Sequence, residues 1–167
     1  KGNYRTEPIT EATQPEPPTA KAPDISIHEA AMRGNIEAVK QQLAAGADVN
    51  GKDNLTGLTP LFDAVSSGKR EVAALLIDKG ADVNGRIAMG FTALHNAAGN
   101  GRYQIVELLI EKGADVNEKN DFGITPLDMA EVSANRDEET ELDYKKVDDL
   151  LRKHGGKTGD ELEAEGK

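Results

Sequence analysis

The sequence contains no cysteine and no tryptophan, and it has only three phenylalanines and three tyrosines among its 167 residues. The absence of cysteine excludes disulfide bonds, zinc clusters with thiolate ligands and thiol nucleophiles. Because aromatic rings are scarce, the core must be built mainly from leucine, isoleucine, valine and alanine. No hydrophobic run approaches the length of about 18 residues that a membrane span requires, so we expect no transmembrane segment.

The sequence also lacks a basic stripe, and its formal net charge is −10. Residues 118–167 contribute −7 and residues 24–117 contribute −3, whereas residues 1–23 are neutral in sum. Binding of nucleic acid requires clustered lysine and arginine side chains that replace counterions at phosphates. The charge distribution therefore argues against a nucleic-acid partner.

The first 23 residues contain five of the seven prolines and almost no apolar residues. Such a segment cannot bury enough surface to offset the entropy lost on ordering. We therefore predict a disordered Pro/Glu/Thr-rich tether that holds a folded domain away from a surface. The alternative is an ordinary chain terminus without a role.

The phrase GADVN occurs three times, at residues 46–50, 80–84 and 113–117. Each copy follows a segment with two predicted helices, the first rich in small residues and the second rich in paired aliphatic residues. The spacing of Val72, Leu75 and Leu76 gives the second helix a one-sided apolar stripe. We expect Leu76, and Leu109 in the next copy, to be buried between units.

Short signals mark where these helices begin and end. Thr59, Thr92 and Thr125 precede the first helices, where a hydroxyl can accept hydrogen bonds from free amides. Pro60 and Pro126 suit the first helical turn. The glycine of each GADVN phrase is typical of a left-handed residue that ends a helix.

These units resemble ankyrin repeats, which have a period of about 33 residues and a TPLHxA signature. The signature stands as TPLFDA from Thr59, TALHNA from Thr92, TPLDMA from Thr125 and a degraded ISIHEA from Ile25. The resemblance implies an all-α repeat solenoid of stacked helix-turn-helix units with short β-hairpin tips. It implies four units at 24–50, 51–84, 85–117 and 118–156, followed by an acidic C-terminal tail at 157–167.

Two units depart from the repeat pattern. The second unit has one extra residue in GKDNLTG at 51–57, which predicts a bulged or longer tip. The fourth unit has added residues in NRDEETELDY, between its two helices, and Asp148 stands where the third unit has Val106. A polar outer position is typical of a terminal repeat.

The sequence contains no motif that would supply a catalytic nucleophile, a general base or a set of metal ligands. His28, His95 and His154 occupy structural positions of the repeats, without an evident catalytic partner. The resemblance implies that His95 forms hydrogen bonds within and between repeats. The acidic cluster near residue 140 lacks the spacing of a calcium loop. We therefore predict no enzyme, no cofactor and no metal site.

Because the resemblance implies protein binding through the tips and a concave face lined by the first helices, we place function on this surface. Leu58, Phe91 and Ile124 share one equivalent position, where partner contact and packing between tips both remain open. Leu55, Met89 and Phe122 are expected to contact the partner. The full set of predicted partner-binding residues is Arg33, Leu55, Leu58, Ser66, Arg86, Ile87, Met89, Phe91, Asn100, Arg102, Phe122 and Ile124.

The leading hypothesis is a non-enzymatic module that binds a protein partner of unknown identity and is a monomer on its own. The alternative is a regulatory or stabilising subunit, inhibitory or chaperone-like, of a partner enzyme. The compact repeats, the proline-rich start and the ending LRKHGGKTGDELEAEGK resemble ankyrin proteins of the bacterial type. That likeness favours an exported or envelope-tethered location over a cytoplasmic one.

Overall fold

A computed structural model describes residues 24–134 and 141–166. The predicted tether at 1–23 and most of the acidic insertion lie outside these ranges. In the described residues the regular elements are α-helices, apart from one 3-10 turn at Ala88–Gly90. The helices are α1 (Ile27–Arg33), α2 (Ile36–Ala44), α3 (Pro60–Ser66), α4 (Arg70–Asp78), α5 (Ala93–Gly99), α6 (Tyr103–Glu111), α7 (Pro126–Ala134), α8 (Glu141–Lys153) and α9 (Gly159–Glu165).

The helices pack as a stack of pairs. The first helices α1, α3, α5 and α7 contact one another in chain order, and the second helices α2, α4, α6 and α8 do the same. Each pair also packs internally, for example α3 against α4 and α7 against α8. Since each unit contacts mainly its neighbours, the predicted all-α repeat stack is confirmed.

The predicted helix signals act as expected at the second and third units. The Thr59 hydroxyl accepts a hydrogen bond from the amide of Phe62 at 3.3 Å, and Pro60 is the first residue of α3. At the other end of the unit, Gly80 adopts φ of 96°, a conformation in which a side chain would be strained. The chain therefore leaves α4 at the point where the repeated phrase begins.

The core runs through the stack between the first and the second helices, and both sets of helices supply leucines to it. Leu76 of α4 and Leu109 of α6 are fully buried, as predicted, and Leu151 of α8 occupies the corresponding position in the fourth unit. Val106 is also fully buried, whereas Asp148 at the equivalent position of α8 is partly exposed. This exchange places a carboxylate on the outer side of the last pair, as expected of a terminal repeat.

The tips between units reverse the chain as hairpins do, but no strand pairing occurs in the part of the chain that the structure describes. One backbone hydrogen bond closes each tip: Asp53 N to Leu58 O, Ile87 N to Phe91 O, and Asn120 N to Ile124 O. The arms are too short for a ladder of further bonds. The first of these tips is one residue longer than the others, as its extra residue predicted.

The asparagine that ends each GADVN phrase bonds to the next unit. Asn50 donates from Nδ2 to the carbonyl of Gly80 at 3.1 Å and accepts at Oδ1 from the amide of Asp82 at 2.8 Å. Asp48 accepts from the amide of Asn50 and holds this residue in its turn. Asn117 makes the same two contacts with Gly155 and Lys157. The phrase therefore recurs because it joins one unit to the next as well as ending a helix.

The segment predicted as an acidic tail contains α9, which packs at the end of the stack. Thr158 caps this helix, and the amide of Gly159 donates to Asp128 of α7 at 2.8 Å. Lys119 of the neighbouring tip donates to the carbonyl of Gly159 at 3.3 Å. Arg152 of α8 forms ion pairs with Glu131, Asp148 and Glu161.

Candidate functional site

The three described tips each carry one large apolar side chain in solvent. Leu55 is 96 % exposed, Met89 is 59 % exposed and Phe122 is 65 % exposed. Met89 and Phe122 directly precede the glycine of their tips, and Leu55 lies two residues before Gly57. We call these three side chains the tip row. Their exposure on three successive tips makes the tip row a candidate contact surface.

Met89 has an unusual backbone conformation. Its φ of 59° and ψ of 20° lie in the left-handed region, and the following Gly90 also has a positive φ, of 74°. Among the described residues, no other non-glycine residue has a positive φ. Non-glycine residues rarely adopt this left-handed conformation, and asparagine and aspartate are among the residues that tolerate it best. The carbonyl of Met89 accepts from the amide of Asp121 at 3.0 Å, so the next tip helps to hold this conformation.

Leu58, Phe91 and Ile124 are half-buried at the base of the tips. The Phe91 ring packs edge-on against the ring of His95 with 5.7 Å between centroids. The carbonyl of Ile124 pairs with His95 Nε2 at 3.0 Å. The Phe91 ring therefore has a packing role, and the backbone of Ile124 is bonded to the same histidine. Contact of Leu58, Phe91 and Ile124 with a partner stays a prediction.

His95 is buried and bonded on both ring nitrogens. Its Nδ1 accepts from the amide of Thr92 at 3.2 Å and lies 2.8 Å from the Thr92 hydroxyl. Because Nδ1 is an acceptor, the proton of the neutral ring is on Nε2, which donates to Ile124 O. Burial lowers the pKa of His95, and the hydrogen bond to Ile124 opposes that effect only in part. The implied bonds within and between repeats are therefore present, and a cation is disfavoured here.

Arg86 joins its tip to the next one. Its guanidinium contacts the carboxylates of Glu118 and Asp121, and its carbonyl accepts from Lys52 Nζ at 3.2 Å. Ile87, the next residue, is half-buried. Arg86 thus has a structural role that the sequence did not indicate, and its role in partner binding remains a prediction.

The predicted residues on the first helices are spread along the stack. Arg33 is exposed and pairs with Glu29 at 2.5 Å, and Asn100 is exposed at the end of α5. Ser66 is half-buried, and its carbonyl accepts from Arg102 Nη2 at 2.7 Å. Since Arg102 precedes α6, it lies at the turn between helices, at the opposite end of α5 from the tips.

A cleft of about 330 Å³ lies between α5 and α7. Phe91 joins it to the tip row, and the 61 % exposed Val132 forms part of its rim. Sequence analysis did not select the three apolar residues Phe62, Met129 and Val132. The repeat register could have identified Val132, because it stands one period after Gly99 and two periods after Ser66.

A hydrogen bond between two largely buried side chains joins the first two units. His28 Nδ1 lies 2.7 Å from Asp63 Oδ2, and the Asp63 side chain is almost fully buried. Burial raises the pKa of Asp63, and the hydrogen bond to His28 opposes this rise. The sequence pattern alone does not predict this partner for His28, since the two residues are 35 positions apart.

Within residues 24–134 and 141–166, no helix combines the length and the apolar composition needed to cross a membrane. The same residues contain no group of three or more potential metal ligands from histidine and carboxylate side chains.

Comparison with known proteins identifies the repeats. A family model described as Ankyrin repeats (3 copies) matches residues 27–120. Protein phosphatase 1 regulatory subunit 27 of Mus musculus is 46 % identical over 57 residues, which are 34 % of this chain and 36 % of that protein. The 2-5A-dependent ribonuclease of Mus musculus is 38 % identical over 63 residues, which are 38 % of this chain and 9 % of that protein.

A third relative shows the same limited overlap. Ankyrin repeat and KH domain-containing protein 1 of Homo sapiens is 47 % identical over 55 residues, covering 33 % of this chain and 2 % of that protein. The matched segments thus span about a third of the first relative and under a tenth of the other two. The likeness concerns the repeats and not the whole of these proteins.

Proposed function

The chain belongs to the ankyrin-repeat family, and from this premise we propose that it is a non-catalytic module whose protein partner contacts the tips and the concave face. Ankyrin repeats typically mediate protein binding. What is specific to this chain in the proposal is the surface that the partner contacts. Its bacterial type, which the sequence suggested, stays a prediction.

The observation that carries the proposal is the tip row of Leu55, Met89 and Phe122. One exposed apolar side chain on each of three successive tips forms a surface that solvent does not favour. Large apolar and aromatic anchors supply most of the affinity in protein interfaces. A partner that covers the row would bury these side chains without rearranging the stack.

The cleft between α5 and α7 extends this surface onto the concave face. Phe91 follows the tip residue Met89 by two positions and also lines the cleft. Asn96 and Asn100 supply polar groups on the same wall. A partner seated on the tip row can therefore place an apolar side chain in the cleft, next to groups that form hydrogen bonds.

The alternative function is that of a regulatory or stabilising subunit of an enzyme. It is supported by the relative that is named as a protein phosphatase 1 regulatory subunit. In both cases the partner contacts the same surface. The two functions differ in whether the partner's catalytic rate changes when the module binds.

Photo-crosslinking tests the position of the interface. A photoreactive phenylalanine analogue at position 55 or 122 should crosslink the partner in extracts of the native source. The matched control is the same analogue at Gln41, an exposed position of α2 on the other side of the stack. Crosslinking from position 41 but not from the tips would place the interface elsewhere. Assay of a captured enzyme with and without the module decides between the two functions.

A further inference from the structure

A second cleft lies at the opposite end of the helices from the tips. It has a volume of about 360 Å³, and its walls come from the turn before α4, the turn before α6 and the start of α8. The polar side chains that line it are Arg70, Arg102, Tyr103, Gln104, Asp143 and Lys146. We call it the turn-edge cleft.

The turn-edge cleft concentrates positive charge in an acidic protein. Arg70, Arg102 and Lys146 face a single carboxylate, that of Asp143, although the whole chain has a net charge of −10. Asp143 pairs with Lys146 at 3.1 Å. Neither arginine forms an ion pair with a carboxylate of the described residues. Within the part of the chain that the structure describes, their charges are thus not paired with a carboxylate, and they raise the local potential for an anion.

Backbone contacts hold both guanidinium groups in place. Arg70 donates from Nε to the carbonyl of Gln104 at 3.4 Å, and Arg102 donates from Nη2 to the carbonyl of Ser66 at 2.7 Å. The Nε of Arg102 is buried and has no hydrogen-bond partner among the described residues. Cations fixed before a ligand arrives lose little conformational entropy on binding.

Two further features fit an anion with an apolar substituent. The first turn of α6 has no side-chain cap at Arg102, so its end adds a partial positive charge to the cleft. An adjoining cleft of about 500 Å³ shares Tyr103 and Lys146 with the turn-edge cleft and is also lined by Asp149, Leu150 and Lys153. The combined space offers cations at one end and, at the other, an aromatic and an aliphatic side chain beside the opposite charges of Asp149 and Lys153.

We propose that the turn-edge cleft binds a phosphate group, either as free phosphate or as a phosphomonoester whose apolar substituent lies in the adjoining cleft. Three cations and one carboxylate leave a local surplus of two positive charges, which matches a phosphate dianion. The planar guanidinium of arginine presents paired donors that fit phosphate oxygens. This site is separate from the tip row and does not depend on the proposed partner.

An NMR titration of the full chain with inorganic phosphate tests the site. At pH 7.5 and constant ionic strength, the amide signals of Gly68, Gly101 and Tyr103 should shift and saturate. Replacing Arg70 and Lys146 together by glutamine should weaken phosphate binding about tenfold or more, because two charge-assisted contacts are lost. Asp143→Asn should tighten binding about threefold by removing the opposing charge. Lys79→Gln, an exposed cation at the far end of α4, is the matched control and should leave binding unchanged.

Titration with phenyl phosphate distinguishes a phosphomonoester from free phosphate as the ligand of the turn-edge cleft. Tighter binding than inorganic phosphate, with additional shifts at Tyr103 and Leu150, supports a phosphomonoester, whereas equal binding supports free phosphate. The proposal is overturned if shifts grow linearly without saturation and are spread over all cations. It is also overturned if the Arg70/Lys146 variant, shown to be folded by circular dichroism, binds phosphate as tightly as the unchanged chain. Replacing the tip row by serine should not alter phosphate binding.

Discussion

The side-chain amide of Asn84 donates to the carbonyl of Gly113, one unit further along the chain, at 3.1 Å. The same side chain accepts at Oδ1 from the amide of Asp115 at 2.8 Å. Two backbone groups of the turn that follows α6 are thereby satisfied by the preceding unit. Because Asn50 and Asn117 repeat this arrangement, the contact is a regular feature of the stack.

Asn84→Ala should lower the free energy of unfolding by about 1–2 kcal/mol, since it removes two hydrogen bonds to the next unit. The bonds lie near the surface, so water can replace part of each, which keeps the loss moderate. Urea unfolding followed by circular dichroism measures the change. Asn54→Ala, at an exposed tip position, is the matched control and should change stability by less than about 0.5 kcal/mol. An equal effect of both substitutions would contradict the role assigned to Asn84.

Leu109→Ala should cost about 2–5 kcal/mol, because it leaves a cavity in a fully buried part of the stack. Coupling between neighbouring units could make this loss sufficient to unfold the chain. Leu55→Ala removes the same atoms from an exposed tip and should leave the unfolding midpoint nearly unchanged. Thermal and urea unfolding of both variants provide the test. A midpoint unaffected by Leu109→Ala would show that the repeat register is misplaced.

The sequence was sufficient to predict where helices begin and which of their residues are buried, because these features follow from the pattern within one unit. Thr59 and Pro60 mark the start of α3, and Leu76 and Leu109 are buried where the apolar stripe placed them. Each of these assignments follows from the local chain and from helical geometry. Because the units repeat, equivalent residues of the next unit could be given the same role.

Contacts between units were mostly not predictable, because the partners are 29 or more positions apart and are fixed only by how the units stack. The bonds from Asn84 to Gly113, from Arg86 to Glu118 and from His28 to Asp63 are of this kind. A repeated asparagine indicates that the residue matters, but it does not identify the acceptor. Likewise, the cleft beside Val132 exists only when α5 and α7 lie side by side.

Stability should decrease in mild acid because His95 is buried in its neutral form. Burial lowers its pKa in the folded chain below the ordinary value of 6.5. The unfolded chain therefore binds the proton first, and the stability contributed by neutral His95 is lost as pH falls from about 6.5 towards the folded pKa. Urea unfolding at several pH values between 7.5 and 5 measures this loss.

His95→Gln isolates this effect, since glutamine can form hydrogen bonds but does not titrate. The variant should be less stable than the unchanged chain at pH 7.5, yet it should lose less stability on going to pH 5. His154→Gln, at an exposed position, should keep the full pH dependence. The raised pKa of Asp63 works in the opposite direction, and it is common to all three proteins. An identical pH dependence in the His95 variant would assign the acid sensitivity to another group.

Met89→Asn should stabilise the fold and weaken partner binding at the same time. The left-handed backbone at Met89 strains a residue with a long side chain, whereas asparagine adopts this conformation more readily. We expect a gain of about 1 kcal/mol in the free energy of unfolding. Partner binding should fall because an exposed apolar anchor is lost.

The matched control is Leu55→Asn, which makes a similar change at a residue without positive φ and should weaken binding with no gain in stability. Urea unfolding and a binding titration with the crosslinked partner, once identified, measure the two effects. Unchanged stability of Met89→Asn would exclude strain at this tip. Raised stability with unchanged affinity would show that Met89 lies outside the interface.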